Sequence, residues 1–333
     1  MGNCNFTISQ FRNFKIIQAI MLSRIADSLF WLNRYMERAD SLLRVVRTNY
    51  ILSFDVIGTS DFHWKDILGM FTILDQETIR LNGENTAVAL QYLIADPKNV
   101  NAVKVLFVRA RENARGAQDN ITKEVWEQVN HLYHLINQPE LEKKLKDSRA
   151  IEILDRLTKN SVLFAGVTET TMPRGQGWNF MNLGKFIERT ILTIEIANAH
   201  FKKIDYQLSN PQDILHWRNL LLSLSGYELY LKSYTGGNHN MNVIDQIIIN
   251  RNFPRSVYYS LERIKKYLDD IIDDTKIEGG DALQKMFGRL HSKIRFADLN
   301  NLHNPGLQNF LYTTRQDLIE FSKQFSRIYF SYS

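Results

Sequence analysis

Apolar side chains recur along most of the chain at intervals of three and four residues, the spacing of one face of an α-helix. The clearest run steps through eight apolar positions from Ile25 to Tyr50. A run of this length predicts a long helix packed at a shallow angle in a bundle. A similar stripe extends from Phe180 to Ile194. No segments with alternating polarity predict a pair of strands, so the expected fold class is all-α, a multi-helix bundle.

The same period divides the chain into a series of predicted helices, and all six prolines fall between them. Proline is tolerated there because its missing backbone N–H is not needed for a helical hydrogen bond. The predicted helices cover residues 22–53, 62–78, 85–95, 99–117, 121–137, 140–168, 177–206, 212–235, 241–251, 255–274, 280–296 and 305–330.

Two of these helices carry a glutamate followed directly by an arginine, Glu37-Arg38 and Glu188-Arg189, at the edge of the apolar stripe. Adjacent helical positions do not face each other, so each glutamate and arginine is expected to contact a different group on another helix. Arg34 lies one turn before Glu37 and is able to reach it along the helix. The pairs are structural salt bridges, or they line a shared polar groove that binds a ligand, or they act in acid–base catalysis.

Both Glu-Arg pairs have the same angular offset from their apolar stripe. This match predicts a weak internal duplication, with pseudo-repeats at about residues 21–169 and 170–333. The alternative is one interleaved bundle that contains two similar helices. Residues 21–333 form the expected domain, and residues 1–20 are expected to be an extension that is disordered or precedes the translated start.

A second concentration of polar side chains lies in the central segment ARENARGAQDNITKEVWEQVNHLY. Arg111 and Arg115 are one turn apart, and two guanidinium groups at this spacing are able to hold a carboxylate or a phosphate. Equally, Glu112 balances them on a solvated helix face. Downstream, Glu124 and later His residues share one face, but no second Glu-x-x-His segment completes the ligand set of a di-iron bundle.

Composition excludes several classes of protein. Against 41 basic residues stand 36 acidic ones, for a net charge of +5, which is a mixed surface and not the basic stripe of a nucleic-acid-binding protein. No apolar run reaches the roughly 18 residues of a membrane span. Cys4 is the single cysteine, which excludes intrachain disulfides and fits a reducing cytosol. Nucleotide-binding and hydrolase motifs are absent, so no cofactor, metal, nucleic acid or membrane partner is expected.

Four segments together resemble the Alpha-E family, bacterial all-helical proteins named for their Glu-Arg motifs. The segments are MLSRIADSLFWLNRYMERA, the central segment above, PRGQGWNFMNLGKFIERT and NFPRSV, in this order along residues 21–333. The resemblance marks Pro254 as a motif residue and marks the following as candidate ligand-binding residues: Arg24, Glu37, Arg38, Arg111, Glu112, Asn113, Arg115, Glu124, Trp126, Asn130, Arg174, Trp178, Glu188, Arg189 and Arg255. Lys185 stands where the family often has arginine.

The resemblance implies a cytoplasmic bacterial protein encoded beside circularly permuted ATP-grasp ligases and transglutaminase-like proteins. We therefore expect an accessory or scaffold protein of a peptide or amide ligase system, without independent catalysis. A groove lined by Glu and Arg would bind a peptide, an amino-acid-like ligand or another anionic substrate. The alternative is an enzyme of the same pathway in which Glu37 or Glu188 is the acid or base. Neighbouring arginines lower a carboxyl pKa, which favours the accessory role.

Overall fold

The computed structural model describes residues 8–54, 63–299 and 306–330, and every regular element in these ranges is helical. This result confirms the all-α architecture expected from the apolar period. Within the same ranges, no helix combines the length and the apolar character that crossing a membrane requires.

The first half of the described chain contains α1 (Ile8–Leu52), α2 (Trp64–Phe71), α3 (Gln76–Asn82), α4 (Thr86–Leu90), α5 (Val103–Gly116), α6 (Lys123–Ile136), α7 (Leu141–Lys144) and α8 (Ala150–Thr171). The second half contains α9 (Gln176–Phe201), α10 (Ile214–Ser223), α11 (Tyr227–Ser233), α12 (His239–Ile248), α13 (Val257–Thr275), α14 (Gly280–Arg295) and α15 (Gly306–Phe330). A π-helical turn, Gln91–Ala95, continues α4, and a 3₁₀ turn, Lys202–Ile204, continues α9.

Three predicted helices are wrong as single elements, because each is interrupted: 62–78, 140–168 and 212–235. Asp75 begins a new helix within the first, since its side chain accepts a hydrogen bond from the Thr78 backbone N–H at 2.8 Å. Ser225 ends the helix in the third, since it adopts a left-handed backbone with φ of 56°. An apolar period continues across such breaks, because it records which face is buried and not whether the backbone is continuous.

The N-terminal helix α1 passes through position 21 without a break. The predicted boundary between an extension and the domain is therefore not the end of a helix. Residues 1–7, which include Cys4, lie outside the described part of the chain. The prolines at 97, 139, 173, 211 and 254 lie between α-helices as expected, and Pro305 lies outside the described residues.

Helices α1 and α9 form the centre of the bundle. Helix α1 packs against α9, α5, α8, α10 and α15, and α9 also packs against α13. The two central helices pack tightly at Gly184, where an added Cβ would lie 2.4 Å from the backbone oxygen of Phe30. Glycine is required at this contact because any side chain would collide with backbone. The close approach brings both Glu-Arg motifs to the interface between these helices.

The Glu-Arg crossing as a candidate binding site

The two Glu-Arg motifs exchange partners between α1 and α9. Arg189 donates two hydrogen bonds of 2.8 Å to Glu37, from Nε to Oε1 and from Nη2 to Oε2. In return, Arg38 Nε donates to Glu188 Oε1 at 2.6 Å. Each glutamate therefore binds the arginine of the other motif, and we call these four residues the Glu-Arg crossing. This exchange explains why a Glu-Arg pair occurs in both helices, because each helix supplies one carboxylate and one guanidinium group to the other.

The expectation that Arg34 reaches Glu37 along α1 is wrong. Arg34 Nε and Nη2 both lie 2.8 Å from Glu188 Oε2 on α9. Its Nη1 donates to Ser322 Oγ at 3.0 Å, and its guanidinium carbon lies 4.5 Å from the centre of the Trp31 ring. The Glu37 carboxylate is instead bound by Arg189 and Arg255.

We call Glu188, Arg34 and Arg38 the closed end of the crossing. Glu188 is 1% exposed, and its carboxylate is shared by the two arginines. Arg38 also donates to Asn101 Oδ1 at 3.0 Å. Helix α15 covers Arg34 through the hydrogen bond to Ser322, whereas Arg38 is half-buried, with 23% of its side chain exposed.

We call Glu37, Asp40, Arg189 and Arg255 the open end. Arg255 donates to both acidic residues, from Nη1 to Glu37 Oε1 at 3.1 Å and from Nη2 to Asp40 Oδ2 at 2.5 Å. Arg44 adds a second hydrogen bond of 2.8 Å to the same Asp40 oxygen. Two arginines thus share Glu37, and two share Asp40.

The segment NFPRSV places Arg255 at the open end. Ser256 caps α13, because its side chain accepts a hydrogen bond from the Tyr259 N–H at 3.0 Å. Just before this cap, the Arg255 backbone oxygen accepts from Thr193 Oγ1 of α9 at 3.1 Å. Arg189 also reaches this segment, with Nη1 at 3.3 Å from the Pro254 oxygen. A short loop held at both ends therefore directs a third arginine to Glu37.

A pocket of about 100 Å³ lies beside the open end, between α1, α8 and α9. Its volume is several times the roughly 10–15 Å³ that one water molecule requires. Trp178 and Asn182 contribute to its α9 wall, and the exposed residues Val162 and Glu169 of α8 place it at the surface. The charged residues that line it are Glu37, Asp40, Arg44, Glu169, Lys185, Arg189 and Arg255.

Both crossing carboxyls have lowered pKa values. Burial opposes ionisation of Glu37, but the charges of Arg189 and Arg255 outweigh it and lower the pKa to about 2. Burial likewise opposes ionisation of Glu188, and Arg34 and Arg38 hold its pKa below the usual value. Both groups are therefore carboxylates at neutral pH, as the flanking arginines lead one to expect.

Lys185 is the unusual cation of the pocket. Burial, reinforced by the positive charge of Arg189, lowers its pKa to about 8, although Glu37 acts in the opposite direction. Among the described residues it has no ion pair or hydrogen bond, and its Nζ lies 5.4 Å from the centre of the Phe186 ring. An ammonium group in the pocket is therefore held without a direct anionic partner.

The central segment forms a different cluster, between α5 and α6. Arg111 Nε donates to Asn130 Oδ1 at 2.7 Å, and its guanidinium carbon lies 4.4 Å from the centre of the Tyr133 ring and 5.6 Å from that of Trp126. Asn113 binds the backbone of its own helix. Glu112, Arg115 and Glu124 are exposed. None of these residues lines the pocket, so the structure does not unite the candidate residues in one groove.

Two further candidates lie near the ends of the central helices. Arg24 is exposed on α1 and does not line the pocket. Arg174 covers Trp178, with its guanidinium carbon 3.7 Å from the ring centre, and binds Glu169 at 2.8 Å. Since Trp178 and Glu169 both line the pocket, Arg174 borders its mouth. Within the described ranges, no three His, Cys, Asp or Glu side chains converge as a metal site would require.

Sequence reasoning missed several residues of the pocket. Asn33 and Asp40 lie one turn before and one turn after Glu37, so their shared helix face was a readable signal. Arg44 extends the same face by another turn. Ser161 comes from α8, and no pattern in the sequence pairs that helix with the crossing.

The fold and the crossing define a helical protein organised around reciprocal Glu-Arg pairs. The sequence profile of the Alpha-E family, "a predicted alpha-helical domain with a conserved ER motif", matches residues 21–330. The chain therefore belongs to the Alpha-E family.

Relatives with curated sequences are mycobacterial and uncharacterized. Protein Mb2597 of Mycobacterium bovis and protein MT2643 of Mycobacterium tuberculosis are each 22% identical to this chain over 299 residues. The match covers 83% of this chain and 33% of either relative, so the chain spans about a third of the length of these proteins. No solved structure matches the chain significantly.

Proposed function

We propose that this protein is a cytoplasmic accessory protein of an ATP-grasp-type peptide or amide ligase system, with a transglutaminase-like protein as a further partner. Its task in this proposal is to bind a peptide, an amino acid or a related anionic substrate in the pocket beside Glu37. The association with a ligase comes from the family resemblance. The observation that carries the binding role is the pocket itself, in which Lys185 has no direct anionic partner among the described residues.

A binding role agrees with the electrostatics of the site. Four cationic and three anionic side chains line the pocket, which leaves one positive charge in excess. The arginines already have carboxylate partners, so the excess is located on Lys185. A ligand with one negative charge would neutralise it, and a charge-assisted hydrogen bond is stronger where water is partly excluded.

The alternative, an enzyme of the same pathway with Glu37 or Glu188 as acid or base, has less support. A general base works best with a pKa near the working pH, whereas the pKa of Glu37 is about 2. Both carboxylates are also occupied by two arginines each. Protonating either one would break the pairs that join the central helices.

The test is to measure amino-acid-dependent ATP hydrolysis by the purified protein, by an ATP-grasp-type ligase encoded near it, and by both together. We expect no turnover by the protein alone and a faster ligase in the mixture. Lys185→Met should abolish the acceleration, and Lys202→Met, a matched change at the exposed end of α9, should preserve it. Turnover by the protein alone, or a mixture no faster than the ligase, would exclude the accessory role.

A further inference from the structure

Three residues that line the pocket each carry a buried side-chain oxygen that has no hydrogen-bond partner among the described residues. These oxygens are Asn33 Oδ1, Asp40 Oδ1 and Ser161 Oγ. Asn33 and Ser161 are 3% exposed and Asp40 is 8% exposed. Buried polar atoms almost always have a partner, and an orphaned one costs free energy comparable to a lost hydrogen bond. Such atoms around one pocket indicate that something else satisfies them.

The chemistry of these atoms restricts what the pocket accepts. The orphaned atoms of Asn33 and Asp40 are acceptors, so they require a donor from the ligand. Lys185 Nζ, in contrast, supplies only donors and a positive charge. A ligand that satisfies both must carry an anionic group and a separate hydrogen-bond donor, either N–H or O–H. A phosphate dianion has one O–H, but it would bring two negative charges beside the Asp40 oxygen.

The positions of these groups along α1 agree with a small bifunctional ligand. Asn33, Glu37 and Asp40 occupy successive turns of one face, which span roughly 10 Å at 1.5 Å per residue. Arg189 and Arg255 already satisfy Glu37 in the middle of this row. Along α1 the two acceptors therefore lie on either side of a neutralised centre, and Lys185 of α9 lines the same pocket.

From this arrangement we infer that the pocket binds a carboxylate with an N–H donor on the adjacent carbon, as in a free α-amino acid or the C-terminal residue of a peptide. The carboxylate pairs with Lys185, and the N–H donates to Asp40 Oδ1 or Asn33 Oδ1. Ser161 Oγ, both donor and acceptor, is able to bind either group. The pocket volume of about 100 Å³ suits a residue with a small side chain. The inference rests on the proposed binding role and names its ligand class.

Calorimetric titration of the full chain tests the inference with matched small probes. Glycine and N-acetylglycine carry both groups, acetate lacks the N–H donor, and glycinamide lacks the carboxylate. We expect glycine or N-acetylglycine to bind and acetate and glycinamide to bind at least about tenfold more weakly, the value of one charge-assisted hydrogen bond. Preference for glycine identifies a free amino acid, and preference for N-acetylglycine identifies a peptide C-terminus.

Substitutions in the pocket distinguish a loss of ligand binding from a loss of folding. Lys185→Met should weaken binding by about 10- to 100-fold while thermal unfolding remains cooperative, because Lys185 has no ion pair to lose. Ser161→Ala should weaken it less, and Lys202→Met should leave it unchanged. The inference is overturned if acetate or phosphate binds as tightly as glycine and N-acetylglycine, if none of the probes binds, or if Lys185→Met has no effect.

This titration contains no ligase, so its outcome is independent of the accessory role. Binding of a probe by a protein that does not accelerate a ligase would overturn the accessory role and retain the ligand class. Acceleration of a ligase without binding of any of these probes would do the reverse.

Discussion

The closed and open ends of the Glu-Arg crossing use the same pair of residue types to different effect. At the closed end, Glu188 is shared by Arg34 and Arg38, which also donate to Ser322 and Asn101. At the open end, Glu37 is shared by Arg189 and Arg255, and a pocket with orphaned oxygens lies beside it. One end joins two helices, and the other also provides a place for a ligand.

The difference arises at equivalent positions, one turn before each motif glutamate. Arg34 holds this position in α1 and reaches across to Glu188. Lys185 holds it in α9 and makes no corresponding bond to Glu37, whose second arginine comes from the loop before α13 instead. Lysine lacks the guanidinium fork of arginine, and at this position it lines the pocket beside Glu37.

The largest expected effect is at the closed end. Glu188→Gln would leave the buried Arg34 and the half-buried Arg38 without their shared carboxylate, and breaking a buried ion pair costs about 3–5 kcal/mol. Urea denaturation of the variant and the wild type measures the change in the free energy of unfolding. A change below that of the matched variant at the open end would contradict the division into closed and open ends.

Glu37→Gln is that matched variant, and its effect should be smaller. Arg189 and Arg255 lose the same kind of partner, but water in the adjoining pocket is able to solvate them, and Arg255 retains Asp40. We expect a loss of about 1.5–3 kcal/mol, the range for hydrogen bonds to a charged group. The same denaturation experiment measures this loss. Equal losses in the free energy of unfolding for the two variants would show that water in the pocket does not stabilise the unpaired arginines.

A third difference between the two ends is confined to alkaline pH, where stability depends on Lys185. The folded-state pKa of Lys185, about 8, lies below its ordinary value of 10.5. Between these values the unfolded chain retains a proton that the folded protein has released, so raising the pH favours folding through this group. Lys185→Met lacks this contribution.

We therefore expect Lys185→Met to be more stable than the wild type at pH 7 and to lose that advantage as the pH rises from 8 towards 10.5. Urea denaturation of both proteins across this range measures the difference. A constant difference would mean that Lys185 titrates in the folded protein as it does in the unfolded chain.

Much of the fold follows from sequence patterns, and its exceptions have local causes. The long stripes of α1 and α9 predict both central helices, because burying one helical face requires apolar residues at that period. The interruptions at Asp75 and Ser225 were not predicted, since a side-chain cap or a left-handed residue stops a helix without altering the period. For the Glu-Arg pairs, the sequence predicted only that each residue contacts another helix, and not that the two motifs bind each other.

The candidate site was predictable in part. Glu37, Arg189 and Arg255 meet at the open end, whereas Arg111 with its aromatic partners forms a separate cluster and Arg24 is exposed. A family motif marks positions without stating which of them share a surface. Residues that stabilise the packing of α5 on α6 and residues that line a pocket therefore look alike in one sequence.

The sequence alone determined that the chain is a helical bundle and that two of its helices carry a charged pair at the margin of a buried stripe. Periodicity is a local property, so it is readable without coordinates. Only the tertiary structure decided that each glutamate takes its arginine from the opposite helix and that a pocket lies beside one of the two ends. Those outcomes depend on how closely α1 and α9 approach at Gly184, and on which helices cover their ends.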